Sequence, residues 1–220
     1  MDDVLAFDVN ETLLDLRALD EVSRARSVIR HCATRVVSAD APRLAFVGGL
    51  TGAYVDFTTA QRAALRMLAA RTGKRLADHE QEEIVVGMRR LPPHPNVRAG
   101  LPALREAGVR QVTLTNSPLD VVRDQLEFAG LLDLFDDVLS ADEVKELKPG
   151  PKPYRLVADR HGVAISGVRL VAAHAWDVSG APRRRRQGGV RGPSRDGPEP
   201  ARRAAGYHRR RPSPARGALS

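Results

Sequence analysis

Four apolar residues, Val4-Leu5-Ala6-Phe7, run straight into Asp8 near the start of the chain. A run so short and continuous reads as a buried strand ended by its carboxylate. A helical stretch is expected from near Leu13. Residues 46–72 join a Gly-bearing segment to an amphipathic helix in which Leu65, Leu68 and Ala69 fall at helical spacing, with Gly73 as its stop. A second helix starts at Asp78, and then Pro92, Pro93 and Pro95 break the pattern and mark a boundary between lobes. Beyond them the two periods alternate. "VRAGLPALREAG" predicts a helix closed by Gly108, "VRQVTLTNS" a strand, and "PLDVVRDQLEFAGL" a helix opened by Pro118. "FDDVLSADEV" predicts a short strand and turn, "PKPYRLVADRHG" a helix, and "VRLVAAHAWD" a last strand. Strands alternating with helices of this length predict a parallel sheet wrapped by helices. Such sheets gather their sites at the C-terminal ends of strands. Asp8, Thr115-Asn116, Lys148 and Asp177 all fall at or just past such ends.

Length and composition fit this picture and sharpen it in one place. At 220 residues the chain can bury one sizeable core with a smaller added lobe. The acidic opening Met1-Asp2-Asp3 is unlike a signal peptide, and nowhere do 18 apolar residues run together, so neither secretion nor membrane insertion is expected. Cys32 is the single cysteine, which rules out an internal disulfide and suits a reducing cytoplasm. The net charge of +8 looks like a nucleic-acid signal until it is located. From Pro182 to Ser220 twelve arginines face only Asp196 and Glu199, so the rest of the chain is mildly acidic.

Two stretches resist the pattern. Residues 182–220 are nearly all Arg, Gly, Pro, Ala and Ser and cannot bury a core, so they read as a disordered tail. Residues 22–43 have no clean period of either kind. Both are rich in residues with GC-rich codons, and both read as coding sequence translated out of frame. For the tail, the alternative is an arm that binds nucleic acid through phosphate contacts.

The chemistry-bearing residues come in a fixed order: Asp8 in "FDVNETLLD", Thr115 in "LTNSP", Lys148 in "LKPGPKPY" and Asp177 in "HAWDVSGA". Together they resemble the haloacid dehalogenase superfamily, and within it the type II 2-haloacid dehalogenases. The resemblance covers residues 1–21 and about 45–181. It implies a Rossmann-like α/β core over 1–14 and 96–181, with a helical cap over 15–95 inserted after the first strand. The family fold normally continues after Ala181 through a helix into another core strand. The chain as written is therefore expected to fold poorly and to have little activity. The implied reaction is hydrolysis of a short 2-haloalkanoic acid to the 2-hydroxy acid, without metal or cofactor.

That chemistry suits the residue types. A carboxylate such as Asp8 can act as nucleophile and form an ester, splitting one hard displacement into two easier steps. Lys148 would keep it ionised, and Thr12 would orient it. The Thr115 hydroxyl and the Asn116 amide would hold a substrate carboxylate or a developing oxyanion. By resemblance, Asp177 positions the hydrolytic water or Lys148, Tyr154 lines the pocket, and Val9 and Asn10 complete the substrate-binding set. Phosphatases of the superfamily usually carry a second Asp, as general acid, at the position of Asn10. An amide cannot protonate a leaving alkoxide, whereas a halide needs no proton, so Asn10 favours dehalogenation.

The chain departs from the family in "AAHAWD", where well-known members have "SSNxWD": Ala172 replaces a serine and His174 an asparagine. His174 is a candidate pocket residue and is itself able to act as a base. For His174 and Tyr154, plain packing is the competing reading. His31, His79, His94, His161 and His208 read as surface or loop residues, and Asp142-Glu143 as a solvated turn. The halide-binding Arg expected early in the cap falls within 22–43 and is not assigned. Two other functions compete with dehalogenation: a phosphatase on the same fold, and nucleic-acid binding through the tail. The sequence leaves oligomeric state open, a homodimer included.

Overall fold

A computed structural model describes residues 3–23, 33–73 and 75–181. Its sheet has four strands, β1 (Val4–Phe7), β2 (Arg110–Thr115), β3 (Asp137–Ser140) and β4 (Val168–Val171). All neighbours are parallel, in the order β3-β2-β1-β4. The chain steps outward from β1 to β2 and β3, then returns to lay β4 on the other side of β1. The order therefore reverses at β1, and an open parallel sheet offers its ligand crevice outside the strand ends at such a reversal. Asp8 is the first residue past β1, and its N–H donates to Val171 O, the last residue of β4, at 3.0 Å. The fold is α/β and Rossmann-like, as the alternation predicts.

Nine α-helices accompany the sheet among the described residues: α1 (Ala18–Ser23), α2 (Ala33–Arg35), α3 (Ala41–Leu50), α4 (Phe57–Arg71), α5 (Asp78–Gly87), α6 (Val97–Glu106), α7 (Leu119–Ala129), α8 (Pro151–His161) and α9 (Ala175–Gly180). The first five all lie between β1 and α6 in sequence. α4 starts where Asp56 accepts from Thr59 N at 2.9 Å, a side-chain cap for an otherwise orphaned donor. Phe57, Ala60, Ala64 and Leu65 then form its buried stripe. One face of the sheet packs Val4, Ala6, Val112 and Leu114 against Tyr154 and Val157 of α8. The other, through Phe7, joins Leu126 and Phe135 to Leu14, Leu19, Val37, Phe57, Leu65 and Met88 in one continuous cluster. The helices before Pro92 thus share a core with the sheet.

Three local expectations need correction. The helix expected near Leu13 begins at Ala18. Leu13 N and Leu14 N both donate to Val9 O, and Glu11 takes a left-handed φ of 61°, so residues 9–14 form a tight loop instead. The Gly-bearing segment at 46–50 is the end of α3, where a Cβ on Gly48 would stand 2.6 Å from Ala53 O. The described part of 22–43 is helical, and Val36, Val37 and Ala41 are buried. A π-turn over Val36–Asp40 links α2 to α3. Its wider turn shifts the helical phase, which erases a clean 3.6-residue period. The remainder of that stretch, 24–32, on which most of the out-of-frame reading of 22–43 falls, lies outside the described residues. So does the expected disordered tail at 182–220.

The chain leaves the sheet layer for α1 and comes back after α5 at a single place. Leu14 and Pro93 form an antiparallel bridge, flanked by Asp15 N to Pro92 O and His94 N to Leu13 O, both 2.9 Å. Among the described residues, no helix is long and apolar enough to cross a membrane.

Candidate active site

Asp8 leaves β1 with both carboxylate oxygens engaged. Thr12 Oγ1 donates to Oδ2 at 2.7 Å, and Lys148 Nζ donates to Oδ1 at 3.0 Å. The tight loop at 9–14 brings Thr12 back onto Asp8, and Thr12 Oγ1 in turn accepts from Ala173 N at 3.0 Å. Lys148 is fully buried and also donates to Asp177 Oδ2 at 2.7 Å. A buried ammonium is tolerable only when paired and hydrogen-bonded, and two carboxylates supply that here. Asp177 is equally buried, and Tyr154 OH donates to its Oδ1 at 3.0 Å. Burial pushes the Asp177 carboxyl above the usual range, opposed by the Lys148 charge. Burial likewise raises the Tyr154 phenol, reinforced by the Asp177 charge, so the phenol stays a donor.

Asn10 is clamped at both ends. Its Nδ2 donates to Ser117 Oγ at 3.0 Å, and its Oδ1 accepts from Gln125 Nε2 at 3.0 Å. Gln125, buried on α7, also donates to Met88 O at 2.8 Å. Thr115 Oγ1 accepts from Ser117 N at 3.2 Å and keeps its own proton to donate. The Asn116 side chain is spent on the Lys148 backbone: Lys148 N donates to its Oδ1 at 2.8 Å, and its Nδ2 donates to Lys148 O at 3.2 Å.

These groups border a cavity of about 40 Å³. Its polar side carries Asp8, Asn10, Glu11, Thr115, Asn116 and His174. Leu16, Val37, Pro42 and Phe57 close it from the helical insertion, with Ser38 as the polar exception there. Trp176 on α9 completes the wall and meets Phe46 of α3 edge-on, centroids 5.1 Å apart. His174 Nε2 stands 2.7 Å from Glu11 Oε2, and Nδ1 stands 3.9 Å from Asp8 Oδ2. The Glu11 hydrogen bond raises the His174 pKa above its ordinary value, against the effect of burial, and the Asp8 charge adds to the rise.

A protein-family model for haloacid dehalogenase-like hydrolases matches residues 3–181. The chain belongs to the haloacid dehalogenase-like hydrolases. It is 30% identical over 178 residues to (S)-2-haloacid dehalogenase 1 of Pseudomonas sp. (strain CBS-3), covering 80% of this chain and 78% of that one. It is 26% identical over 180 residues to haloacetate dehalogenase H-2 of Moraxella sp. (strain B), covering 81% and 80% of the two chains. Among solved structures it is similar to the L-2-haloacid dehalogenase from Xanthobacter autotrophicus with chloropropionic acid covalently bound. That match has a TM-score of 0.75 and 28% identity, and covers 82% of this chain and 74% of that one.

In this haloacid dehalogenase-like hydrolase, Asp8, Asn10, Thr115, Asn116 and His174 meet at one cavity, while other expected site residues stand behind it. Tyr154 does not line the cavity; its hydroxyl backs Asp177. Val9 is fully buried and contributes its carbonyl to the loop rather than a side chain to the site. Lys148 and Asp177 also lie behind the lining, with Thr12 at the far side of the carboxylate. Four participants escaped the sequence reading. Ser117 and Gln125 lie two and ten residues past Thr115 and carried no signal of their own. Trp176 adjoins Asp177 in the last motif, and its place in the cavity wall shows only in the fold. Glu11 lies inside the opening motif, and only its contact with His174 marks it. His94 is a loop residue, as expected, and its Nε2 lies 3.3 Å from Glu11 O.

Proposed function

We propose that this chain hydrolyses short 2-haloalkanoic acids to 2-hydroxy acids through an ester on Asp8. The observation that carries this reading is a carboxylate at a small, half-apolar cavity, held through both oxygens and flanked two residues on by an amide. Asn10 is held by Ser117 and Gln125 with its amide donor and acceptor both used. A phosphatase needs an acid at that place to protonate its leaving alkoxide; halide departs without a proton. The similarity to enzymes named as acting on haloacids, one with chloropropionic acid bound covalently, supports the same reading.

The steps follow from the residues. The Thr115 hydroxyl and backbone beside it receive the substrate carboxylate, and Asn116 acts one step removed by fixing Lys148. Asp8 attacks C2 in line with the carbon–halogen bond, the halide leaves on the opposite side, and C2 inverts. Thr12 and Lys148 aim the carboxylate, so little orientational freedom is left to lose at the transition state. Asp177 and Tyr154 position Lys148. Leu16, Val37, Pro42 and Phe57, with the helices over 15–95 acting as a cap, keep bulk water away from the carbon centre during displacement. Water then attacks the Asp8 ester at Cγ, and Lys148 balances the charge that develops there.

Single-turnover chloride release from 2-chloropropionate tests the reading, and a slow enzyme still passes it. The expected result is about one chloride per chain in the presence of a chelator. Phosphate release from a generic phosphate ester in magnesium, with no chloride from any short 2-chloroacid, would sink it in favour of the phosphatase.

A further inference from the structure

We infer that Gln125, a positioning residue on α7 behind the cavity, decides which end of the Asn10 amide meets the substrate anion. The inference rests on the function proposed above and names the residue that sets its recognition of a carboxylate. It starts from a side chain that packing does not explain. Gln125 is fully buried, and its Oε1 has no hydrogen-bond partner among the described residues. A buried acceptor left unpaired is costly, and an apolar side chain of similar size would avoid that cost.

The nitrogen end of the same amide shows why it is held there. Nε2 uses both of its hydrogens, one on Met88 O at 2.8 Å and one on Asn10 Oδ1 at 3.0 Å. A backbone carbonyl can only accept, so Met88 O admits only the nitrogen end of Gln125. That nitrogen can only donate, so it admits only the oxygen end of Asn10. Asn10 Nδ2 is thereby turned to Ser117 Oγ, 3.0 Å away. The Ser117 hydroxyl does not make this choice, because a hydroxyl donates or accepts with equal ease. One carbonyl, in the short turn after α5, thus fixes two amides in series.

The orientation matters because of what the cavity has to hold. The substrate is an anion, and Asp8 and Glu11 already border the cavity with carboxylates, while no Arg or Lys lines it among the described residues. Lys148 stands behind the lining, bound to Asp8 and Asp177. The neutral donors of the lining therefore carry much of the recognition. Asn10 lines the cavity, and its Nδ2 has two hydrogens, of which Ser117 takes one. The second is left for the anion. It works beside the Thr115 hydroxyl, which accepts from Ser117 N at 3.2 Å and so keeps its own proton to donate. Reversed, the Asn10 amide would present Oδ1, a dipole of the wrong sign beside an anion in a site shielded from water.

The plain alternative is that Gln125 ties α7 to the turn after α5 and nothing more. A single N–H on Met88 O would do that. The bond to Asn10 and the unpaired Oε1 would then have no effect on what the cavity binds.

Two product analogues separate these readings. 2-Hydroxypropionate carries a carboxylate, and 2-hydroxypropionamide carries a neutral amide of nearly the same shape whose N–H groups suit an acceptor. Titration calorimetry on the full chain compares them. For Gln125→Leu the carboxylate analogue should bind about 10–100-fold more weakly, while the amide analogue binds at least as well as before. The KM for 2-chloropropionate should rise by a similar factor, with the rate at saturation little changed. In an Asn10→Ala background, Gln125→Leu should weaken the carboxylate analogue no further, since Gln125 acts only through that amide. Equal weakening of both analogues, or full additivity with Asn10→Ala, overturns the assignment. Should Gln125→Leu fail to fold, side-chain amide NMR on the unmodified chain decides. The Asn10 Nδ2 protons should shift when 2-hydroxypropionate binds, and protons that stay put under bound ligand overturn the assignment too. No chloride from any short 2-chloroacid sinks the function proposed above; chloride release without the change in discrimination sinks only the role given to Gln125.

Discussion

The two walls of the cavity are built from different materials. The wall at the strand ends is backed by a polar network: Thr12, Asp8, Lys148, Asp177 and Tyr154 follow one another by hydrogen bonds of 2.7–3.0 Å, and Asp8 carries that network to the cavity. The wall from the inserted helices is mostly aliphatic and aromatic, with Ser38 its one polar lining residue. A polar circuit in low dielectric fixes geometry atom by atom, and loss of one member strands the others. An apolar wall fixes only shape, and it tolerates change in proportion to volume. Chemistry should therefore be brittle on one side and selectivity adjustable on the other.

The largest expected effect is that of Asp8→Asn, which removes the nucleophile. Turnover should fall on the order of 10⁴-fold or more. A single turnover of the unmodified chain in oxygen-18 water should place the label in Asp8; label found only in the first product would mean direct attack by water. Lys148→Met comes next. It leaves Asp8 and Asp177 buried together without a cation, which should cost about 3–5 kcal/mol in chemical denaturation and end turnover as well. On the other wall, Phe57→Ala should cost about 3 kcal/mol, the low end for such truncations because one side already borders a cavity. Activity should survive, with the preference moving from 2-chloropropionate toward longer-chain 2-haloacids. Unchanged preference would show that shape is set elsewhere. Tyr154→Phe removes one donor from Asp177 and should cost about 1–3 kcal/mol, with a smaller loss of rate than Lys148→Met. The mildest expected effect is a pH trend. His174 is held protonated above its ordinary 6.5, first by Glu11. Its contribution to stability is complete below that value and is lost as pH rises through the folded-state pKa. Urea midpoints should fall across this window in the parent and stay flatter in His174→Gln.

The polar wall was partly legible in the sequence, since Asp8 and Thr115 stand at the ends of β1 and β2, and a strand end can be read from an apolar run followed by a polar residue. What the sequence did not carry was direction. Thr115 ends β2 and Tyr154 sits in the first turn of α8, yet Tyr154 faces Asp177 and Thr115 the cavity. Asn116 follows a strand as a binding residue should, and spends its side chain on the Lys148 backbone 32 positions away. Glu11 and His174 are 163 positions apart, and no local period joins them. The apolar wall was hidden for another reason. The π-turn over Val36–Asp40 breaks the rhythm by which a helix announces its buried face, and Val37, Ser38 and Pro42 lie in or next to it.

The bridge between Leu14 and Pro93 gives this division of labour a heritable form. Everything from Asp15 to Pro92 enters and leaves the sheet layer through one pair of adjacent backbone segments. A segment whose two ends already touch can change length at little cost in chain entropy, because the closure cost grows only slowly with length, provided that the helices it carries still fill the core they share with the sheet. The helical segment can then drift or recombine as a unit while the residues that break the bond stay in register. One lineage could acquire a new substrate range in this way without reinventing its chemistry.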